Sequence, residues 1–330
     1  MEKVVSRAPA RVDLAGGSLD LWPMGLMVGD ALTVNVAVSL FAEVVCTPRE
    51  GPVLLRSDDL GACYEWDSDG PHGALPLVER FCEHFGVHRN WEIRTAAGSP
   101  PGAGLGGSSA MSIALAGALA VIRGKAIEDR AFVALCRDLE AVQLGIPTGV
   151  QDFWPALLGG ALTIRYVPGG DEVERIETPL EKLAERMIVA FSGRSRLSSG
   201  TNWGMMKRFL DGETQTRSAL EGVARAARTV RESLLVGDLD AVARGVAQEW
   251  SHRKKLAPGV ATSETDLLES AAAAAGALGW KACGAGGGGC MVFLAREGRQ
   301  AQVQEALARA GASVLDARPV ASGRTVEVVL

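Results

Sequence analysis

Residues 100–110, Pro-Pro-Gly-Ala-Gly-Leu-Gly-Gly-Ser-Ser-Ala, restrict this 330-residue chain more than any other stretch, because a glycine-dense loop here runs straight into a helix-forming segment. The run Trp91–Thr95 before it reads as a strand, and Ala110–Ile122 after it, rich in alanine and leucine, reads as a helix. Glycines let the backbone approach an oxygen atom closely and take positive φ, while the unpaired N–H groups and dipole of a helix start favour negative charge. Gly102, Ala103, Gly104, Leu105, Gly106, Gly107, Ser108 and Ser109 are therefore candidate ligands for a nucleotide phosphate, and the two hydroxyls can add hydrogen bonds or a magnesium contact. Taken alone, the loop is also compatible with a turn that binds nothing.

Two better-known phosphate motifs fit it poorly. Gly102, Gly104 and Gly107 satisfy G-x-G-x-x-G, but a chain with 40 glycines meets that pattern easily, and Pro100 and Pro101 spoil the tight strand-to-loop turn it needs. Gly102 and Gly107 have the P-loop separation, yet Ser108 occupies the place of the invariant lysine. A cation for the phosphates has to come from elsewhere in the fold.

A chain of this length, 47% hydrophobic and 22% charged, has the make-up of a soluble globular protein of about two domains. Its formal net charge of -5 is spread without a basic block, which gives a nucleic-acid or anionic-membrane partner no electrostatic support. Charges at Glu2, Lys3, Arg7, Arg11 and Asp13 leave no signal-peptide core, and no apolar run reaches membrane-spanning length. The 6 cysteines form no C-x-x-C pair, and His84 and His88 are separated by Gly86 without the glutamate of H-E-x-x-H. A cytoplasmic protein with reduced structural thiols and no zinc site is expected, as monomer or homodimer.

Val4–Leu14 and Ala31–Val45 read as strands, Glu128–Leu144 as a helix, and Ala161–Val167 as a strand leading into the turn at residues 168–171. Later, Arg186–Phe191 reads as a buried strand, and Thr216–Val236 and Leu239–Leu256 as helices. A second glycine loop, Lys281–Gly289, precedes the strand-like Cys290–Leu294, a helix over Gln300–Ala310 and a last strand near Thr325–Leu330. Strands and helices in runs, without strict alternation, predict an α+β fold, divided into residues 1–182 and 183–330.

Three segments carry a resemblance together: Ala8–Asp20, the loop at 100–110, and Lys281–Gly289 with its Gly-Ala-Gly-Gly-Gly-Gly core. In this order they resemble the GHMP kinases, named for galactokinase, homoserine, mevalonate and phosphomevalonate kinases. Residues 11–17 with Asp20, the segment Ser192–Arg196 and the segment Lys255–Gly259 look most like the heptose 7-phosphate kinase branch, and fucokinases share the first of these. The resemblance implies an ATP-dependent sugar kinase. Its N-terminal domain would be like ribosomal protein S5 domain 2 and its C-terminal domain ferredoxin-like, with the site between them.

By the family pattern Ser108 and Glu140 would hold Mg2+ on the ATP phosphates, Asp152 would accept the proton of the attacking hydroxyl, and Arg11 would balance charge beside them. A nearby cation favours the charged form of a carboxylate, and phosphoryl transfer asks mainly for positioning and electrostatic stabilisation. Gly17, Ser18 and Asp20, with Gly286 and Gly287 of the second glycine loop, would meet the sugar. The branch implies its anomeric hydroxyl as acceptor. Arg194 and Arg196 suit a phosphate already on the sugar, or are a solvated basic loop.

Gln151–Asp152 is followed by Phe153 and Trp154 where the branch pattern has polar glutamine and tyrosine, and Trp22 adds another aromatic side chain near the expected sugar site. Such rings stack on sugars or are simply buried. The competing readings are a mevalonate-type small-alcohol kinase, a nicotinamide-dependent oxidoreductase and a non-catalytic nucleotide-binding protein.

Overall fold

The computed structural model of the protein describes residues 2–193 and 199–329, and two antiparallel sheets organise them. Strands Lys3–Ala15, Leu32–Ser57 and Ala161–Val167 lie at the centre of the first, seven-stranded sheet, with Thr325–Val329 beyond one side and Gly170–Arg175 beyond the other. Strands Ala62–Trp66 and Arg89–Ala97 pair with the distal part of Leu32–Ser57. The second sheet has four strands in the order Ser313–Leu315, Met187–Phe191, Cys290–Ala295, Ala277–Ala282. By chain position this is last, first, third, second, with helices in the first and last connections, which is the ferredoxin-like arrangement expected of this half.

All strand pairings among the described residues are antiparallel. A dinucleotide loop belongs to a parallel βαβ unit. The nicotinamide reading of Gly102–Gly107 is thereby overturned.

Period-two alternation in Lys3–Ala15 sets up the site. Ala10, Val12 and Leu14 enter a core shared with Val242, Val246 and Val292 from the second half, while Arg11 and Asp13 alternate with them. The helix Gly107–Ile122 packs on both Lys3–Ala15 and Leu32–Ser57. Its run of small residues, Ala110, Ala114, Ala116 and Ala118, is fully buried and permits that close packing. Ser108 and Ser109 thus stand in the first turn of a rigid helix. Helix Asp129–Leu144 is capped by the Glu128 side chain, which accepts from the Ala131 N–H at 3.1 Å, and its buried face runs Phe132, Val133, Cys136, Glu140. Asp152 immediately precedes helix Phe153–Leu158, whose Phe153, Trp154 and Ala156 are core residues that fix its position.

Predicted and observed elements differ in identifiable ways. Ala31–Val45 is only part of one 26-residue strand, Leu32–Ser57, whose register with Arg89–Ala97 shifts repeatedly. Lys281 and Ala282 belong to strand Ala277–Ala282 and not to the glycine loop. Helix Pro76–Phe85 has no counterpart in the sequence reading. The division after residue 182 falls inside the short helix Leu180–Ala184, and the final strand returns to pair with Lys3–Ala15 in the first sheet. That return gives the outer edge of Lys3–Ala15 hydrogen-bond partners it would otherwise lack.

The returning segment is tied down as it crosses: Gly160 N–H donates to Val320 O at 2.9 Å, Val320 N–H to Ala37 O at 2.9 Å and Arg324 N–H to Leu157 O at 3.1 Å. Gly159 lies under it with φ +71°, and a Cβ there would sit 2.2 Å from the Ser322 carbonyl carbon. Gly159→Ala combines backbone strain with a backbone clash and is predicted to lower unfolding free energy by about 2–5 kcal/mol. Urea denaturation of the variant reads this directly; a change below about 0.5 kcal/mol would contradict the crossing.

Candidate active site

A cavity of about 580 Å³ opens between the two halves, lined by all of residues 102–109 together with Arg11, Ser18, Asp20, Glu140, Gln151 and Asp152. The candidate phosphate loop, acid ligand, base and acceptor carboxylate, scattered in sequence between Asp20 and Asp152, are thus brought to one cleft.

Arg11 is at its centre and is buried. Its Nε and Nη2 donate to Asp152 Oδ1 at 2.8 and 2.6 Å, and its Nη1 donates to Gly104 O at 2.7 Å and Cys283 O at 3.0 Å. One guanidinium therefore ties the candidate base to both glycine loops. Burial works against its charge, but the Asp152 and Asp13 carboxylates outweigh that and raise it above the usual arginine range. Both bonds to Asp152 fall on Oδ1, and the Asp152 side chain lies against Gly106 of the candidate phosphate loop, where a Cβ would meet its Cβ at 3.1 Å and Oδ2 at 3.3 Å.

Glu140 is buried and receives hydrogen bonds from Ser108 Oγ at 2.5 Å and Ser109 Oγ at 3.0 Å. Burial pushes its carboxyl up to about 7, the Ser108 bond opposes this, and the charge of Asp152 adds to it. Ser108 and Glu140 form an all-oxygen donor pair at a helix start, chemistry that fits a hard divalent cation. Among the described residues no group of three or more His, Cys, Asp or Glu is placed to hold a metal by itself. An ion here would take the rest of its shell from phosphate oxygens and water.

At the other end, Asp20 accepts from the Gln151 backbone N–H at 3.3 Å and Gln151 Nε2 at 3.4 Å, joining the acceptor segment to the residue before Asp152. Burial, reinforced by the charge of Asp152, pushes the Asp20 carboxyl up to about 7 against the Gln151 N–H.

The second glycine loop braces the first. A Cβ on Gly284 would meet Gly104 Cα at 3.0 Å, so the two backbones touch where only glycine fits. Cys290 N–H donates to Ala103 O at 2.7 Å. Gly284 and Ala285 line the cavity. Gly286 and Gly287, expected at the substrate, instead turn toward Val260, whose carbonyl accepts from Gly287 N–H at 2.8 Å. Gly17 also faces away, lying against Asp13 and Arg253.

Arg194 and Arg196 lie outside the described residues. Phe153 and Trp154 are buried, and Trp154 Nε1 donates to Asp171 Oδ2 at 3.3 Å, so neither ring is available to stack on a sugar. Trp22 is 76% exposed.

Sequence reasoning missed a buried ionic cluster behind the acceptor segment. Lys281 Nζ lies 2.6 Å from Asp13 Oδ2 and 3.3 Å from Glu249 Oε1, and Arg253 Nη2 lies 2.5 Å from Glu249 Oε1. The i,i+4 spacing of Glu249 and Arg253 was the one visible signal. Nothing local announces that Asp13 and Lys281 complete it.

Comparison with known proteins came out consistently. The family profile described as GHMP kinases N terminal domain matches residues 74–160, and GHMP kinases C terminal matches residues 230–313. A D-glycero-alpha-D-manno-heptose 7-phosphate kinase of Campylobacter jejuni is 25% identical over 313 residues, spanning 89% of this chain and 90% of that protein. A mevalonate kinase of Thermococcus gammatolerans is 30% identical over 264 residues, 78% of this chain and 74% of the other. The crystal structure of a D-glycero-D-manno-heptose 1-phosphate kinase from Bacteriodes thetaiotaomicron shares the fold at a TM-score of 0.78, with 23% identity and 99% of each chain covered. No helix among the described residues is long and apolar enough to cross a membrane.

The raised Asp20 carboxyl has a stability consequence. An unfolded aspartate titrates near 4, so between about pH 4 and 7 the folded protein holds more protons than the unfolded chain, and its stability falls as pH rises through that window. Asp20→Asn removes this contribution. The variant is predicted to lose less stability than the unaltered protein between about pH 4.5 and 8 and to be the more stable of the two at pH 8. Parallel thermal melts across that range check it, and identical pH slopes would contradict it.

Proposed function

From the premise that this chain belongs to the GHMP kinases, we propose that it is an ATP- and Mg2+-dependent sugar kinase that phosphorylates the anomeric hydroxyl of a heptose 7-phosphate or a closely related sugar. The family and its relatives make the protein a phosphotransferase with an alcohol acceptor. The observation that carries the reading is the grip of Arg11 on Asp152 Oδ1, which holds that carboxylate beside Gly106 of the glycine loop.

In this account the amides of residues 102–109 and the first turn of helix Gly107–Ile122 cradle the phosphates of ATP. Ser108 and Glu140 would hold Mg2+, which when bound neutralises charge on the phosphates. Asp152 accepts the proton of the sugar hydroxyl as that oxygen forms its bond to the γ-phosphorus and the bond to ADP breaks. Arg11, itself buried, orients the base and balances its charge. Asp20 and Ser18 are the candidate contacts to other sugar hydroxyls, and Arg194 and Arg196 to a phosphate on the sugar. A sugar is favoured over mevalonate by the Gly16–Asp20 segment, with Asp20 facing the same cleft as Asp152.

The test is Mg2+-dependent ADP release from ATP against free and phosphorylated hexoses and heptoses, with mevalonate in the same panel. Turnover of a sugar 7-phosphate, with product phosphate on the anomeric carbon, is the expected result. Turnover of mevalonate alone, or nucleotide binding with silence across the panel, would overturn the sugar-kinase reading. Asp152→Asn is predicted to lower kcat by about 10²–10⁴-fold while nucleotide affinity changes by less than about threefold. Undiminished kcat would remove Asp152 as the base.

A further inference from the structure

We infer that Arg253 is a positioning residue for the phosphoryl acceptor: from the end of a helix in the second half it holds the Gly17–Ser18 turn, and through that turn the Asp20 carboxylate, against the cleft. The acceptor clause rests on the kinase reading above; the grip on the turn does not.

Arg253 is the last residue of helix Leu239–Arg253 and is 2% exposed. Its Nη2 donates to Gly17 O at 2.8 Å and its Nη1 to Ser18 Oγ at 3.3 Å. Toward the cluster, Nε donates to Glu249 Oε1 at 3.0 Å, and Nη2 donates to the same oxygen at 2.5 Å and to Asp13 Oδ2 at 3.5 Å. Two acids, Asp13 and Glu249, thus face two bases, Arg253 and Lys281, in one buried cluster. With its charge balanced, the guanidinium is locked in place, and bonds to a carbonyl and a hydroxyl are what it offers outward.

The turn it holds is not one the chain adopts freely. Ser18 has φ 72°, in the left-handed region that non-glycine residues rarely occupy, and such a conformation persists where surrounding bonds over-determine it. Gly17 presses directly on the cluster: a Cβ there would lie 2.1 Å from Asp13 Oδ2 and 2.8 Å from Arg253 Nη2. The turn is closed by Leu19 N–H donating to Gly16 O at 3.1 Å and Leu21 N–H to Ser18 O at 3.4 Å. Between those two amides stands Asp20, joined on its far side to Gln151. The position of Asp20 relative to Asp152 is therefore set from two directions, and Arg253 supplies one of them.

The pair Arg253→Lys and Ser18→Gly tests this. Lysine keeps the buried charge but loses the fork, and glycine removes the hydroxyl while accepting the same φ, which protects against a variant that only misfolds. Two readouts are taken on the full chain. In hydrogen exchange of the nucleotide-free protein, peptides spanning residues 16–21 are expected to exchange about tenfold faster or more in Arg253→Lys, with residues 103–109 unchanged. In steady-state kinetics with whichever acceptor the panel yields, Arg253→Lys is expected to raise acceptor KM about ten- to hundredfold while ATP KM stays within about twofold, and Ser18→Gly, which also removes a candidate sugar contact, is expected to raise acceptor KM at least as much.

Unchanged exchange over residues 16–21 would overturn the grip on the turn. A uniform rise over both segments, or ATP and acceptor parameters falling together, would reduce Arg253 to a general stabilising role and overturn the positioning role. If the unaltered protein turns over no acceptor, the kinase reading and the acceptor clause fall together, and a selective exchange change still upholds the grip on the turn.

Discussion

Four hydrogen bonds from one buried guanidinium hold the candidate active site together. Arg11 gives two to Asp152 Oδ1, one to Gly104 O and one to Cys283 O. These partners come from a short helix start, the candidate phosphate loop and the start of the second glycine loop. Burying such a group costs heavily unless its donors are met, and here the carboxylate and the two carbonyls meet them. The carbonyls in turn belong to loops whose backbones touch at Gly104 and Gly284, too close for any side chain. Across the seam between the halves, that one side chain joins the candidate base to both glycine loops.

The strand Lys3–Ala15 makes this possible. Its apolar positions enter the core that both halves share, and its alternate positions deliver Arg11 to the reacting end and Asp13 to the ionic cluster two residues on. The strand is paired over Val4–Ala15 with Leu32–Ser57 and over Lys3–Arg7 with the returning Thr325–Val329. Polar work at the candidate site is thus carried by a rigid element, and the glycines of the loops bring backbone dipoles to the cleft without side chains of their own.

Much of this was legible in the sequence, and for physical reasons. The candidate phosphate loop stands out because glycine density before an alanine-rich helix suits an anion, although the loop alone is also compatible with a plain turn, and Glu140 falls on a periodic helical face with Phe132, Val133 and Cys136. Ser108 and Arg11 could be matched to a family pattern read in order along the chain. What escaped notice depends on distant partners. The Asp13–Lys281 contact spans 268 positions, the final strand pairs with the first, and the turn of Gly286–Gly287 toward Val260 has no local signature. Phe153 and Trp154 carry the same ambiguity any aromatic residue carries, and only their packing decides that they are core.

The most direct test of the central claim is single-turnover phosphoryl transfer by Arg11→Lys, with saturating ATP, Mg2+ and acceptor. Lysine keeps the charge but cannot reach Asp152 and two carbonyls at once. The account predicts that both substrates still bind and that the transfer step slows by about 10²-fold or more. Transfer at the unaltered rate would mean that the site is assembled by something other than the Arg11 guanidinium.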